Sequence, residues 1–95
     1  MKIRGFTWLE RFVEKLEVKH GVSVEEVEDL FGNRTELRVK KVRKGRHRDE
    51  HVHRSLGRTS AGRYLAVFFI LKSNRKALVI SARDMDEMER RSYAR

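Results

Sequence analysis

With 95 residues, 39% of them hydrophobic and another 39% charged, the chain has room for one packed core under a charge-dense surface, and a single domain over residues 1–95 is expected. The absence of cysteine excludes a disulfide framework, a thiolate nucleophile and Cys-ligated zinc. The formal net charge of +9 is concentrated in residues 33–63, which hold 11 Lys and Arg against 3 Asp and Glu, the footprint expected for a polyanion partner.

Ile3 and Phe6 read as a short first strand. Thr7-Trp8-Leu9-Glu10 matches a capping box, so a helix is predicted from Trp8, with Trp8, Leu9, Phe12, Val13 and Leu16 forming its buried stripe. Gly21 supplies a left-handed stop, and Lys19 and His20 suit the last turn of that helix. Ser23-Val24-Glu25-Glu26 is a second capping box, with Val22 and Val27 placed as a hydrophobic staple. The helix that follows turns Val24, Val27, Leu30 and Phe31 inward, with Gly32 as the expected C′ residue just past its end, while Glu25, Glu26, Glu28 and Asp29 read as a solvated outer face.

From Thr35 the period shortens. Leu37 and Val39 alternate with Arg38 and Lys40, which predicts a half-exposed strand running to Val42. A charged turn over Arg43-Lys44-Gly45-Arg46-His47-Arg48 brings the chain back through a second strand near Asp49 to Leu56. There Glu50, Val52, Arg54 and Leu56 share one face, and His51, His53 and Ser55 share the other. After the glycine-bracketed turn Gly57–Gly62 comes the longest apolar run, Tyr64–Leu71, which fits a central strand covered on both faces. Ser73 to Lys76 turn the chain into a further strand over Ala77–Ala82, and a polar helix is expected from Arg83 to Tyr93. The fold class is α+β: a mostly antiparallel sheet of four to five strands, two N-terminal helices and one C-terminal helix.

Candidate chemistry clusters between Asp49 and Arg63. Glu50 or His53 is placed to exchange protons, and Arg54, Arg58 and Arg63, with Arg83 at the end of the neighbouring strand, can bind a phosphodiester and stabilise its transition state. Base, acid and cationic clamp suffice for RNA cleavage without a metal, because the 2′-hydroxyl serves as nucleophile. Lys40, Lys41, Arg43 and Lys44, with Arg54 and Arg63, are the expected RNA-binding cations. His51 and His53 lack a third ligand at a recognisable spacing, so no metal is expected, and Gly57–Gly62 lacks the Gly-Lys-Ser/Thr ending of a phosphate-binding loop, so no nucleotide cofactor is expected either. A duller reading pairs Glu50 with a cross-strand Lys or Arg and leaves Tyr64 and Phe69 in the core. Tyr93 either anchors the last helix or reaches the site.

Several segments together carry a resemblance. Phe6-Thr7-Trp8, Lys19-His20-Gly21-Val22-Ser23-Val24-Glu25-Glu26, Leu56-Gly57-Arg58-Thr59, Gly62-Arg63-Tyr64-Leu65, Ile80-Ser81-Ala82-Arg83-Asp84-Met85 and Glu89-Arg90-Arg91-Ser92-Tyr93 resemble, in this order, the BrnT toxins of type II toxin–antitoxin systems. The motif positions fall on Lys19, His20, Gly57, Arg58, Arg63, Ser81, Arg83, Arg90 and Tyr93. The resemblance implies a RelE-like ribonuclease fold and cofactor-free RNA cleavage. It also implies a cognate antitoxin, commonly of ribbon-helix-helix type, with operator DNA bound only through the complex. With no secretory or membrane-spanning segment in view, the chain reads as cytoplasmic, and a homodimer is left open. The rival class is a non-catalytic basic module that binds nucleic acid or an acidic protein; it shares the charge pattern but needs no proton-transfer group.

Overall fold

The fold is built outward from the strand Tyr64–Leu71, whose bounds coincide with the longest apolar run. The computed structural model describes residues 2–33, 36–46 and 49–95; Thr35 and the His47-Arg48 part of the charged turn lie outside the described residues. In chain order the elements are β1 (Gly5–Thr7), α1 (Glu10–His20), α2 (Val24–Gly32), β2 (Arg38–Lys44), β3 (His51–Arg58), β4 (Tyr64–Leu71), β5 (Lys76–Asp84) and α3 (Glu87–Ala94). The five strands form one sheet in the order β1-β5-β4-β3-β2. All neighbours are antiparallel except β1 and β5, which run parallel. The α+β layout is the expected one and β4 occupies the centre, but it is covered on both faces only at one end: on the α3 side Phe68 and Ile70 stay partly exposed, because α3 reaches no further than Ala66. No helix among the described residues is long and apolar enough to cross a membrane.

One face of the sheet packs on α1 and α2. Leu16, Val22, Val27, Leu30 and Phe31 from the helical half meet Leu65, Val67, Phe69, Ala77, Val79 and Ala82 from the sheet. Aromatic rings tie this layer together: Phe6 lies edge-on to Phe31 at 5.3 Å, Phe31 edge-on to Phe69 at 5.5 Å, and Phe69 stacks on His53 at 5.2 Å. On the other face, α3 covers only one end, packing Met85 and Tyr93 around Leu56, Ala66 and Tyr64.

The helix ends follow local chemistry, with three departures from expectation. Gly21 adopts φ 62° and closes α1, its N–H donating to Glu17 O and that of Val22 to Leu16 O, while the reciprocal Ser23–Glu26 capping box opens α2. The Thr7–Glu10 capping box does not form. Thr7 belongs to β1 and pairs with Leu78, so α1 begins later, with Leu9 at its N-cap and no side-chain cap. Gly32 remains the last residue of α2, and Asn33 takes the C-cap. Arg83 and Asp84 stay in β5, paired with Ala66 and Leu65, so α3 starts only after Asp86, which caps it in a further capping box with Glu89. A bulge at Val42, between Lys41 and Arg43, leaves that valine 41% exposed on the edge strand.

The acidic face of α2 is not merely solvated. Glu28 accepts from Trp8 Nε1 at 3.0 Å, Asp29 accepts from the Ser60 N–H and hydroxyl at 2.7 Å each, and Glu26 accepts from Arg63. These bonds fasten α2 to the start of α1 and to the turn before β4.

Candidate nucleic-acid interface

Alternation along β3 sorts the candidate residues onto two different surfaces. His53, Ser55 and Gly57 turn toward α1 and α2, where Phe69 stacks on His53 and a β-carbon on Gly57 would come within 2.9 Å of Leu30. Arg54 and Leu56 turn toward α3. Because directly paired residues share a face, the register writes three rows across the α3 side. They are Arg43-Val52-Ile70-Leu78, then Lys40-Arg54-Phe68-Ser81, then Arg38-Leu56-Ala66-Arg83. With α3 lying over the third row, Phe68, Ile70, Leu78 and Ser81 remain partly exposed. The result is an open surface with cations from the edge strand β2, from β3 and from β5.

At its centre Arg54 and Arg83 converge on one carboxylate. Arg83 NH1 and NH2 donate to Glu89 Oε1 and Oε2 at 2.6 and 2.9 Å, and Arg54 NH1 lies 3.6 Å from Glu89 Oε2. The same carboxylate accepts from the Asp86 N–H at 2.9 Å, as the capping box requires. The Arg83 guanidinium also sits over the Phe68 ring, 5.2 Å from its centroid. Burial pushes the Glu89 carboxyl up, but the hydrogen bonds from Arg83 and Asp86 outweigh it and hold the group below the usual carboxylate range. Glu89, in turn, raises Arg83. Arg54 Nε is buried and without a hydrogen-bond partner among the described residues. The arrangement is two guanidinium forks held side by side around an anion.

The remaining candidates are not brought to this point. Glu50 is on the same face as Arg54 but four residues back along the strand, about 13 Å away, and is paired with Lys72. That is the cross-strand pairing considered above. His53 lies beneath the sheet, 6% exposed; burial and the charge of Lys41 push its pKa down, so it is a neutral imidazole near pH 7. Arg58 is exposed at the far end of β3, over the Tyr64 ring at 5.2 Å. Lys40 and Arg43 pair with Arg54 and Val52 and so join the open face, whereas Lys41 and Lys44 pair with His53 and His51.

Arg63 is engaged inside the fold. Its Nε and NH2 donate to Asp84 at 2.8 and 3.3 Å, NH1 donates to Gly21 O and Glu26 at 2.8 and 3.1 Å, and NH2 reaches His20 O at 3.2 Å. One side chain thus joins the end of α1, the start of α2 and the end of β5. Asp84 is lowered by this partner, and Glu26 is lowered first by the Ser23 backbone N–H and then by Arg63.

A profile described as ribonuclease toxin, BrnT, of type II toxin–antitoxin system matches residues 8–89. The chain belongs to the BrnT family. No curated protein matches it. The BrnT motif positions now divide by role. His20 and Arg63 meet in the inter-element junction, and Gly57 admits Leu30 and Leu37 against β3. Tyr93 donates to Glu36 O at 2.7 Å and so anchors the end of α3. Ser81 and Arg83 belong to the open face, and Arg58 and Arg90 crowd the Tyr64 ring beyond α3. Glu89, the carboxylate on which Arg54 and Arg83 converge, was not among the residues singled out from the sequence. Its signal was present, since Asp86 followed three residues later by Glu89 is the same capping pattern that marked Ser23 and Glu26.

Proposed function

We propose that this BrnT chain cleaves RNA on the open sheet face without a metal or cofactor, with Arg54 and Arg83 binding the scissile phosphodiester. The convergence of both guanidiniums on the Glu89 carboxylate carries the reading: a site that holds one anionic oxygen pair between two forks is suited to another. In the reaction the 2′-hydroxyl attacks phosphorus and passes its proton to water, charge grows on the non-bridging oxygens, and the bond to the 5′-oxygen breaks as that oxygen takes a proton from water, leaving a 2′,3′-cyclic phosphate. Arg54 and Arg83 meet the growing charge where water is partly excluded by α3. Lys40 and Arg43 hold the flanking phosphates. Glu50, held by Lys72 about 13 Å back along the strand from Arg54, and His53, buried beneath the sheet, lie beyond hydrogen-bond reach of a phosphodiester in the clamp, so water carries the protons. The α+β frame is taken to be RelE-like. The toxin acts in the cytoplasm until a cognate antitoxin, of ribbon-helix-helix type, covers this face; operator DNA is bound through that complex.

Purified protein should cleave single-stranded RNA in EDTA as well as in magnesium, and Arg83→Ala or Arg54→Ala should lower the rate by 100-fold or more, on the order of 3 kcal/mol. Complete loss on chelation sinks the metal-independent mechanism, and unchanged cleavage in both variants removes the clamp. The pairing of Glu50 with Lys72, and the burial of His53, favour the second reading, a binding module without catalysis. Induced expression separates the two: growth arrest relieved by a neighbouring antitoxin gene supports the toxin, and harmless accumulation of folded protein supports the module.

A further inference from the structure

Beyond α3, at the other end of the same sheet face, three more arginines gather around two tyrosines. The Arg90 guanidinium lies 3.8 Å and that of Arg58 5.2 Å from the centre of the Tyr64 ring. Arg38 lies 5.5 Å from the centre of the Tyr93 ring, and the two tyrosines meet edge to face at 6.0 Å. All three arginines are exposed. Among the described residues none of them has a carboxylate at ion-pair distance, unlike Arg54, Arg63, Arg83 and Arg91. One guanidinium on a ring is an ordinary packing contact. Three unneutralised ones around a ring pair concentrate like charge, which opposes folding, and this points to an anion from outside the chain. The rings and the flat guanidiniums add the second half of a nucleotide's requirements, since bases of single-stranded RNA stack on both. The open groove bounded by Tyr64, Glu87, Arg90, Arg91, Tyr93 and Ala94 measures about 610 Å³, enough for a nucleotide, and its one carboxylate, Glu87, is paired with Arg91 and leaves Arg90 unneutralised.

We propose that Arg38, Arg58 and Arg90, with Tyr64 and Tyr93, form a second RNA contact that holds a single-stranded nucleotide away from the scissile bond. The inference rests on the reading of the chain as an RNA-binding toxin. Geometry connects the two sites: Arg54 and Arg58 lie on one face of β3 four residues apart, about 13 Å, so one RNA strand of a few nucleotides reaches both. The base stacks on the Tyr64–Arg90 pair or on Tyr93, and Arg58 and Arg38 take the phosphate. Arg58 is therefore a binding residue here, separate from the Arg54–Arg83 clamp.

The test uses the full chain and a fluorescent single-stranded oligonucleotide of 2′-O-methyl RNA, which has no nucleophile and so reports binding alone. Arg38→Gln with Arg58→Gln should weaken binding at least ~10-fold and reduce the slope of log affinity against log salt by about 1.4, two phosphate contacts at ~0.7 each. Arg90→Lys should keep the slope and still lose affinity, because charge survives and the stacking plane does not. On cleavable RNA the double variant's loss should fall in KM and only for substrates long enough to span both sites. Unchanged affinity and slope in a double variant that melts like the parent overturns the proposal. So does intact RNA binding beside a weakened antitoxin complex, which assigns the cluster to a protein partner. A parent protein that binds the oligonucleotide through these residues but cleaves no RNA refutes the catalytic reading and leaves this contact standing.

Discussion

Arg63 shows how a cation that looks like a nucleic-acid contact in sequence can be a structural tie. Its guanidinium engages two carboxylates and two backbone carbonyls on three elements, and the planar fork fits this set in a way that a lysine ammonium does not. Arg63→Lys should therefore lower stability by about 2–3 kcal/mol, read as a fall in urea midpoint with unchanged slope, while affinity for RNA stays near that of the parent. A variant as stable as the parent refutes the tie, and a selective loss of RNA binding returns Arg63 to the interface. The same scale explains what was legible. Gly21 and the Ser23–Glu26 box act within one turn of chain, so four residues contain their whole cause. Arg63 acts through partners 21, 37, 42 and 43 residues away, which no local pattern contains.

At the scale of elements, the apolar run of β4 and the alternation of β3 could be read directly, because burial on one face or both leaves its period in the sequence. Where pairing competed with a cap, pairing won: Thr7 joined β1 against β5, and Arg83 and Asp84 extended β5 beside β4. Which face of β3 would lie open was not legible, since that depends on α1 and α2 docking on the His53 side and on α3 being only eight residues long. The short helix α3 is held down by Glu89, which is both its cap and the counter-ion of Arg54 and Arg83. Glu89→Gln keeps the capping pattern and removes the charge, so it isolates the second role. The expected cost is about 1–3 kcal/mol, and added inorganic phosphate should restore part of it by filling the clamp, with no such effect on the parent. If Glu89→Gln melts like the parent with and without phosphate, the carboxylate is not the anion around which the two arginines are held.

Across the whole molecule, the two faces of the sheet differ in kind, and acid should expose the difference in two stages. The helix side encloses His53 as a neutral ring stacked on Phe69, its pKa pushed below the ordinary 6.5 by burial and by Lys41. In the window just below 6.5 the unfolded chain takes up the proton more readily than the folded one. The stability that His53 contributes is thus complete above pH 6.5 and declines as the pH falls, by at most about 1.4 kcal/mol per pH unit. Glu26, Asp84 and Glu89 are lowered from the ordinary 4.5, 3.8 and 4.5, so their contribution is complete above that range and is lost only as the pH falls through it. Urea midpoints should fall between pH 7.5 and 5.5 and again below pH 4.5. His53→Leu, which keeps an apolar partner against Phe69, should flatten the first decline and leave the second. Equal declines in parent and His53→Leu between pH 7.5 and 5.5 would show that the imidazole is solvated in the folded chain, and would reopen its access to the RNA face.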